Sequence, residues 1–291
     1  AAVYGIPVAK RVFAAFVANG ALVGLGGVLY ASRFNSVGAT TGAGMELDIV
    51  AACVVGGVAM TGGVGTAYGA AIGALLLTTM TSALTAVGVD KFWQKAVVGA
   101  LILIAIVVDR VSSMRRHEAL RKKGGERLMN TPTQTSSRDL MASIRRVFSS
   151  RDSHMTLILI LAIVVATILV PRFSQPRTIT FLTLDVTATL LMALPMTLVM
   201  INADIDLSVA STAGLVSASF GVLVQSGVGF WASVAICLLI GLACGLVNAV
   251  MTAYVGLPAL AVTIGTLALY RGLALVVIGD QSISDFPAWA T

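Results

Sequence analysis

The chain has 291 residues, 57% of them hydrophobic and 11% charged, with a mean hydropathy of +0.95. That is too apolar for a water-soluble globular domain and predicts a chain that lies largely in a membrane. The net charge of +6 is local, because eleven of the nineteen Lys and Arg fall within residues 110–152, against four acidic residues. A basic block between apolar flanks is the pattern that keeps a segment on the cytoplasmic face, and it does not read as a nucleic-acid surface.

A bilayer core of about 30 Å takes about 20 apolar residues as helix. Residues 12–31 meet that length without a charge. The stretch 47–89 is too long for one crossing and is interrupted by Gly62-Gly63-Val64-Gly65. It therefore divides into a short descending segment at 47–61 and a longer ascending one at 66–88. Residues 95–108 close the first flank, short unless the helix begins near Phe92. Beyond the basic block the predicted spans are 156–170, 183–201, 209–225, 231–253 and 259–278.

The expectation is an all-α, polytopic transmembrane helix bundle of about nine spans in three parts: 1–109, a basic cytoplasmic linker at 110–155, and 156–291. With the linker inside, four crossings before it put Lys10 and Arg11 inside as well, and five after it put residues 280–291 outside. Segment 47–61 is the exception to watch, since a re-entrant path there would invert the N-terminal end. Gly20 with Gly24, Gly65 with Gly69 and Gly73, and Gly241 with Gly245 recur at the spacing of helix contact faces.

Few residues suggest chemistry. Cys53, Cys237 and Cys244 lie in apolar segments, and His117 and His154 stand alone near the linker, so neither a metal site nor a disulfide framework is predicted. No phosphate-binding loop and no nucleophile–histidine–acid set is present, so the chain reads as a non-enzyme with no directly bound cofactor. Between two spans, Asp204, Asp206 and Ser208 form a polar interruption. Asp206 or Ser208 would cap the helix at 209–225, or the segment is a broken helix lining a pathway. Pro195 would kink the preceding helix in either case. Arg271 is a buried functional cation or, if its helix ends near Gly272, an anchor at the outer interface. Asn248, Thr263 and Thr266 would bond a hydroxylated cargo or bridge neighbouring helices.

These segments together resemble a known family. Gly5-Ile-Pro-Val, residues 39–52, and Val55-Gly-Gly-Val-Ala-Met-Thr-Gly-Gly-Val-Gly-Thr are similar to the C-terminal half of ribose/galactose-type ABC permeases, and Phe92-Trp-Gln and Asp109 fit the same pattern. Leu194-Pro-Met-Thr, Asp204-Ile-Asp-Leu-Ser-Val-Ala-Ser and residues 257–274 resemble the N-terminal half. The usual pattern carries two glycines where Ala203 and Asp204 stand, a point at which rhamnose-type and autoinducer-2-type permeases of the family tolerate variation, which leans the implied cargo toward a deoxy-sugar or related polyol. The resemblance implies a permease component of an ATP-driven monosaccharide importer in a bacterial cytoplasmic (inner) membrane. Its implied partners are an ABC ATPase subunit, which uses ATP and Mg, a periplasmic or lipoprotein sugar-binding protein, and a second permease copy. Ala1, Ala2, Gly5, Ile6 and Pro7 match the end of the family's ATPase-coupling loop. Asp204, Asp206, Ser208, Asn248, Thr263, Thr266 and Arg271 are the expected translocation-path residues. A branched-chain amino-acid permease, a gradient-driven carrier using Asp185, Asp204 and Asp206, and a membrane scaffold are the alternatives. The order of the halves reads as a fusion of two permeases or a readthrough with a fresh start at Met129. The missing middle of the pattern speaks against one circularly permuted permease.

Overall fold

Apolar length and local end signals set the helices. The structure, a computed structural model, describes residues 7–38, 40–107, 151–170, 173–279, 281–284 and 286–287. Helix α1 (Val8–Phe34) begins after Pro7 and ends where Asn35 turns left-handed at φ 49°, its N–H returned to the Ala31 carbonyl. Helix α2 (Met45–Val55) is short, and the glycine-rich chain after it leaves helical geometry until Thr66. The Thr66 hydroxyl accepts from the Gly69 N–H at 2.9 Å and so caps α3 (Ala67–Ala86). Helix α4 occupies 91–107 and α5 is Arg151–Leu169. Helix α6 (Pro176–Ile201) has proline in its first turn, where the missing N–H costs no bond. It is followed by α7 (Val209–Gln225), α8 (Phe230–Ala253) and α9 (Ala259–Ile278).

The bounds of α7 and α9 are those predicted. Segment 47–61 is helical only over α2. Helix α4 starts ahead of Phe92, and α6 starts seven residues earlier than the apolar run suggested and continues through Pro195. The break comes after Ile201. Five helices, α1, α3, α6, α8 and α9, are long and apolar enough to cross a membrane among the described residues, whereas α7 and the apolar part of α5 are shorter. Most of the linker, Met129 included, lies outside the described residues, as do Ala1, Ala2, Gly5 and Ile6.

The two flanks interleave. Helix α1 packs along α8 and also touches α6 and α7, while α3 lies against α2, α5 and α6. The α1–α8 contact is backbone to backbone: a Cβ on Gly20 would stand 2.5 Å from the Gly241 carbonyl oxygen and 2.6 Å from the Gly245 Cα. Lipid gives helices no hydrophobic reward for associating, so small residues that admit close approach supply the dispersion contacts instead. Phe16, Ile49, Met192, Met196, Val199 and Met200 fill the space between α1, α2 and α6. Leu161, Ile168, Leu239, Leu260 and Val276 point outward, as lipid-facing positions do. Beyond α1, Ser36–Val37 pairs antiparallel with Ile283–Ser284 beyond α9, which puts the C-terminal ends of both helices on one side of the bundle.

Candidate functional site

The chain leaves helical geometry at 202–208, and Ala203 takes φ 65°. That left-handed conformation is where glycine is unstrained, which gives a physical reason for the family's glycine at this position. Asp206 is 3% exposed. A carboxylate so placed requires partners, and it has them. Its Oδ2 accepts from Asn19 Nδ2 at 2.8 Å, and its Oδ1 accepts from the Ser208 N–H at 2.9 Å and the Ser208 hydroxyl at 2.6 Å. The Ser208 hydroxyl in turn accepts from Asn248 Nδ2 at 2.8 Å. The Thr263 hydroxyl donates to the Ile205 carbonyl at 3.2 Å. The broken segment is thereby fastened to α1, α8 and α9 at once.

This geometry corrects the capping expectation. Ser208 holds the N-cap position of α7, but its hydroxyl makes no cap bond because it is directed to Asp206. Asp206 instead closes an Asx-type turn on the N–H two residues ahead. The first flank has a matching break between α2 and α3, and the two meet: the Gly63 N–H donates to the Ile201 carbonyl at 2.8 Å. A Cβ on Gly62 would stand 2.7 Å from that of Ala203.

Of the other predicted residues, Asn248 and Thr263 bridge segments, whereas the Thr266 hydroxyl donates to the Val262 carbonyl of its own helix at 3.1 Å. Asp204 is half-buried, and its carboxylate has no hydrogen-bond partner among the described residues. Pro7 caps α1 at the surface. Arg271 lies within α9, which runs on to Ile278, so the helix end expected near Gly272 is not there. The Arg271 Nε is buried without a hydrogen-bond partner among the described residues. Sequence reasoning missed Asn19, although an amide inside an otherwise apolar span is a signal of an interhelical bond.

It also missed a cavity of about 500 Å³ between the ends of α1 and α3 and the starts of α4 and α6. Arg33, from the last turn of α1, sits 3.5 Å from Asp185 of α6 in a charge contact without hydrogen-bond geometry. The guanidinium lies 4.5 Å from the centre of the Phe181 ring. Asp48, Thr78, Thr81 and Ser82 line the same space. The detectable signal was the hydroxyl run Thr78, Thr79, Thr81, Ser82, Thr85 inside an apolar helix.

The family described as Branched-chain amino acid transport system / permease component matches residues 1–106 and 178–289. The chain is 41% identical over 112 residues to the probable ABC transporter permease protein y4mJ of Sinorhizobium fredii, covering 38% of this chain and 34% of that protein. It is 41% identical over 139 residues to an autoinducer 2 import system permease protein of Klebsiella pneumoniae, 44% of this chain and 42% of the relative. It is 37% identical over 116 residues to a galactose/methyl galactoside import permease protein of Haemophilus influenzae, 40% and 34% respectively. The matches thus span 34% to 42% of the length of these relatives. No solved structure matches. With five helices long and apolar enough to cross a membrane among the described residues, and that family match, the chain is a multi-pass integral membrane protein. By the match over most of its length, it belongs to the family of branched-chain amino acid transport system permease components.

Proposed function

We propose that the chain is a transmembrane permease component of an ATP-driven monosaccharide importer. The observation that carries this reading is the company it keeps, since relatives at 37% and 41% identity are named as permeases of galactoside and autoinducer 2 import systems. The family's own description keeps a branched-chain amino acid as the runner-up cargo. In this reading about nine segments cross a bacterial inner membrane, with 110–155 as the cytoplasmic linker between a first part at 1–109 and a second at 156–291.

A separate ATPase docks at Ala1, Ala2, Gly5, Ile6 and Pro7 and uses ATP and Mg, while the permease binds no cofactor itself. A binding protein delivers cargo from outside, and a second permease copy completes the path. Asp206, Ser208, Asn248 and Thr263 hold the broken segment in shape beside that path, since they bond one another and the backbone, although Asn248 Oδ1 is buried without a hydrogen-bond partner among the described residues. Asp204, Thr266 and Arg271 border it.

Uptake of labelled rhamnose, ribose, xylose, galactose, autoinducer-2 and leucine tests the reading, in cells with and without the intact locus and with the partner ATPase inactivated. Loss of one sugar in both backgrounds is expected. Loss of leucine alone would move the assignment to the amino-acid branch. Sugar uptake that survives ATPase inactivation would make the protein a gradient-driven carrier.

A further inference from the structure

We propose that the cavity framed by Arg33, Asp48, Asp185 and the hydroxyl face of α3 is a seat for an uncharged, polyhydroxylated ligand of monosaccharide size. This rests on the importer reading and adds to it the place where cargo first enters the chain. The Thr81 hydroxyl donates to the Leu77 carbonyl at 3.0 Å, and the Thr189 hydroxyl donates to the Asp185 carbonyl at 3.0 Å. With their hydrogens committed to the backbone, both hydroxyls present only lone pairs to the cavity. The carboxyls of Asp48 and Asp185 add acceptors, and the Arg33 Nε is a buried donor without a hydrogen-bond partner among the described residues, so a ligand that satisfies this wall must both donate and accept.

Charge narrows the class. Arg33 lies 3.5 Å from Asp185, so the wall sets a cation directly beside a carboxylate. A ligand carrying one net charge would meet its own sign there as well as the opposite one. A sugar's hydroxyls both donate and accept, it carries no net charge, and its C–H faces suit Leu77 and Leu182. The volume of about 500 Å³ falls in the range of about 300–1,000 Å³ typical of small-molecule pockets.

Position agrees with this. The cavity lies at the C-terminal ends of α1 and α3 and the N-terminal starts of α4 and α6. On the topology proposed above, all four ends face outside, where a binding protein would release its cargo.

The test is ligand protection in membrane vesicles carrying the full chain. Cys53, Cys237 and Cys244 are all buried, so a Ser82→Cys variant offers a hydrophilic thiol reagent one accessible target in the cavity. Ser226→Cys, on an exposed turn, is the control. At a ligand concentration about ten times its Kd, D-galactose or D-xylose should slow modification of Ser82→Cys about tenfold and leave Ser226→Cys unchanged. L-leucine should protect neither. In the Ser82→Cys background, Thr81→Val keeps the shape and removes one acceptor, and should raise the half-protecting sugar concentration about threefold or more.

Protection by leucine in place of the sugars overturns the ligand class. An unchanged half-protecting concentration in Thr81→Val overturns the role given to the wall. Absence of protection by any sugar that the uptake panel shows to be carried overturns the seat while leaving the importer standing. Protection without ATPase-dependent uptake keeps the seat and overturns the importer reading.

Discussion

Replacing Gly20 by alanine adds one methyl group where the structure has no space for it. The new Cβ would stand 2.5, 2.6 and 2.7 Å from three backbone atoms of α8, belonging to Gly241 and Gly245. Ordinary carbon contacts need about 3.5–4.0 Å, so α8 must retreat by about 1 Å. A gap of that size forfeits a quarter to a half of each contact's well of about 0.1–0.2 kcal/mol. Over about twenty atom pairs along the seam the loss is about 0.5–2 kcal/mol, reaching into the usual range for overpacking.

The same change at Gly265 is the control, because nothing lies within 4 Å of the site where its Cβ would be. Better helix propensity alone makes Gly265→Ala neutral or stabilising by up to about 1 kcal/mol. The assay is the midpoint of heat-induced loss of the monodisperse peak in detergent. Gly20→Ala should lower it by about 1–8 °C, at about 2–4 °C per kcal/mol for a chain of this size. Once α8 has moved, Gly245→Ala should add less than it costs alone, so the pair should be subadditive. A Gly20→Ala midpoint equal to or above the parent would refute the backbone-to-backbone seam.

Three further outcomes follow from the same geometry. Asn19→Leu removes a donor from buried Asp206 and should destabilise by about 1–3 kcal/mol, read by the same thermal assay, whereas Thr266→Val, which loses only an own-helix bond, should cost less. Ala203→Gly should raise the midpoint by relieving a left-handed alanine, a conformation that costs about 1 kcal/mol or more, and a lowered midpoint would show that the turn is held differently. Arg271→Ala should impair sugar uptake at unchanged expression, since its Nε is buried within α9, and unaffected uptake would remove it from the path.

Much of the helix inventory could be read from the chain because its limits are local. Pro258 and Gly279 bracket α9, and a run of apolar residues bounded by polar ones marks α7. The start of α6 was missed because Arg177, Thr178 and Thr180 dilute the apolar signal, although Pro176 announced a first turn. What the sequence did not carry was partnership. Glycines four apart announce that a backbone comes close, but not whose, and here Gly20 and Gly24 of the first flank meet Gly241 and Gly245 of the second. The cavity was hidden for the same reason, since Arg33, Asp48, Thr81 and Asp185 come from four helices and no window of sequence contains more than one of those elements.

The placement of charge also separates two jobs that the sequence ran together. The Asp-Ile-Asp-Leu-Ser segment drew attention because carboxylates between spans suggest contact with cargo. Yet Asp206 receives the Asn19 amide and both donors of Ser208, and Ser208 is further held by Asn248. A carboxylate so engaged has little acceptor capacity to offer a ligand, and breaking its bonds at each transport cycle would expose a buried charge. Its physical role is to fasten an irregular backbone at membrane depth, where unpaired polar groups are expensive. Asp185 and Asp48 have the opposite character: they border open space, Asp185 beside Arg33, and share that space with hydroxyls whose lone pairs face it. A cargo that must bind and then leave is better served by such a wall than by a buried carboxylate whose donors come from the chain itself. That is why the inferred seat lies near the ends of α1 and α3 rather than at the broken helix.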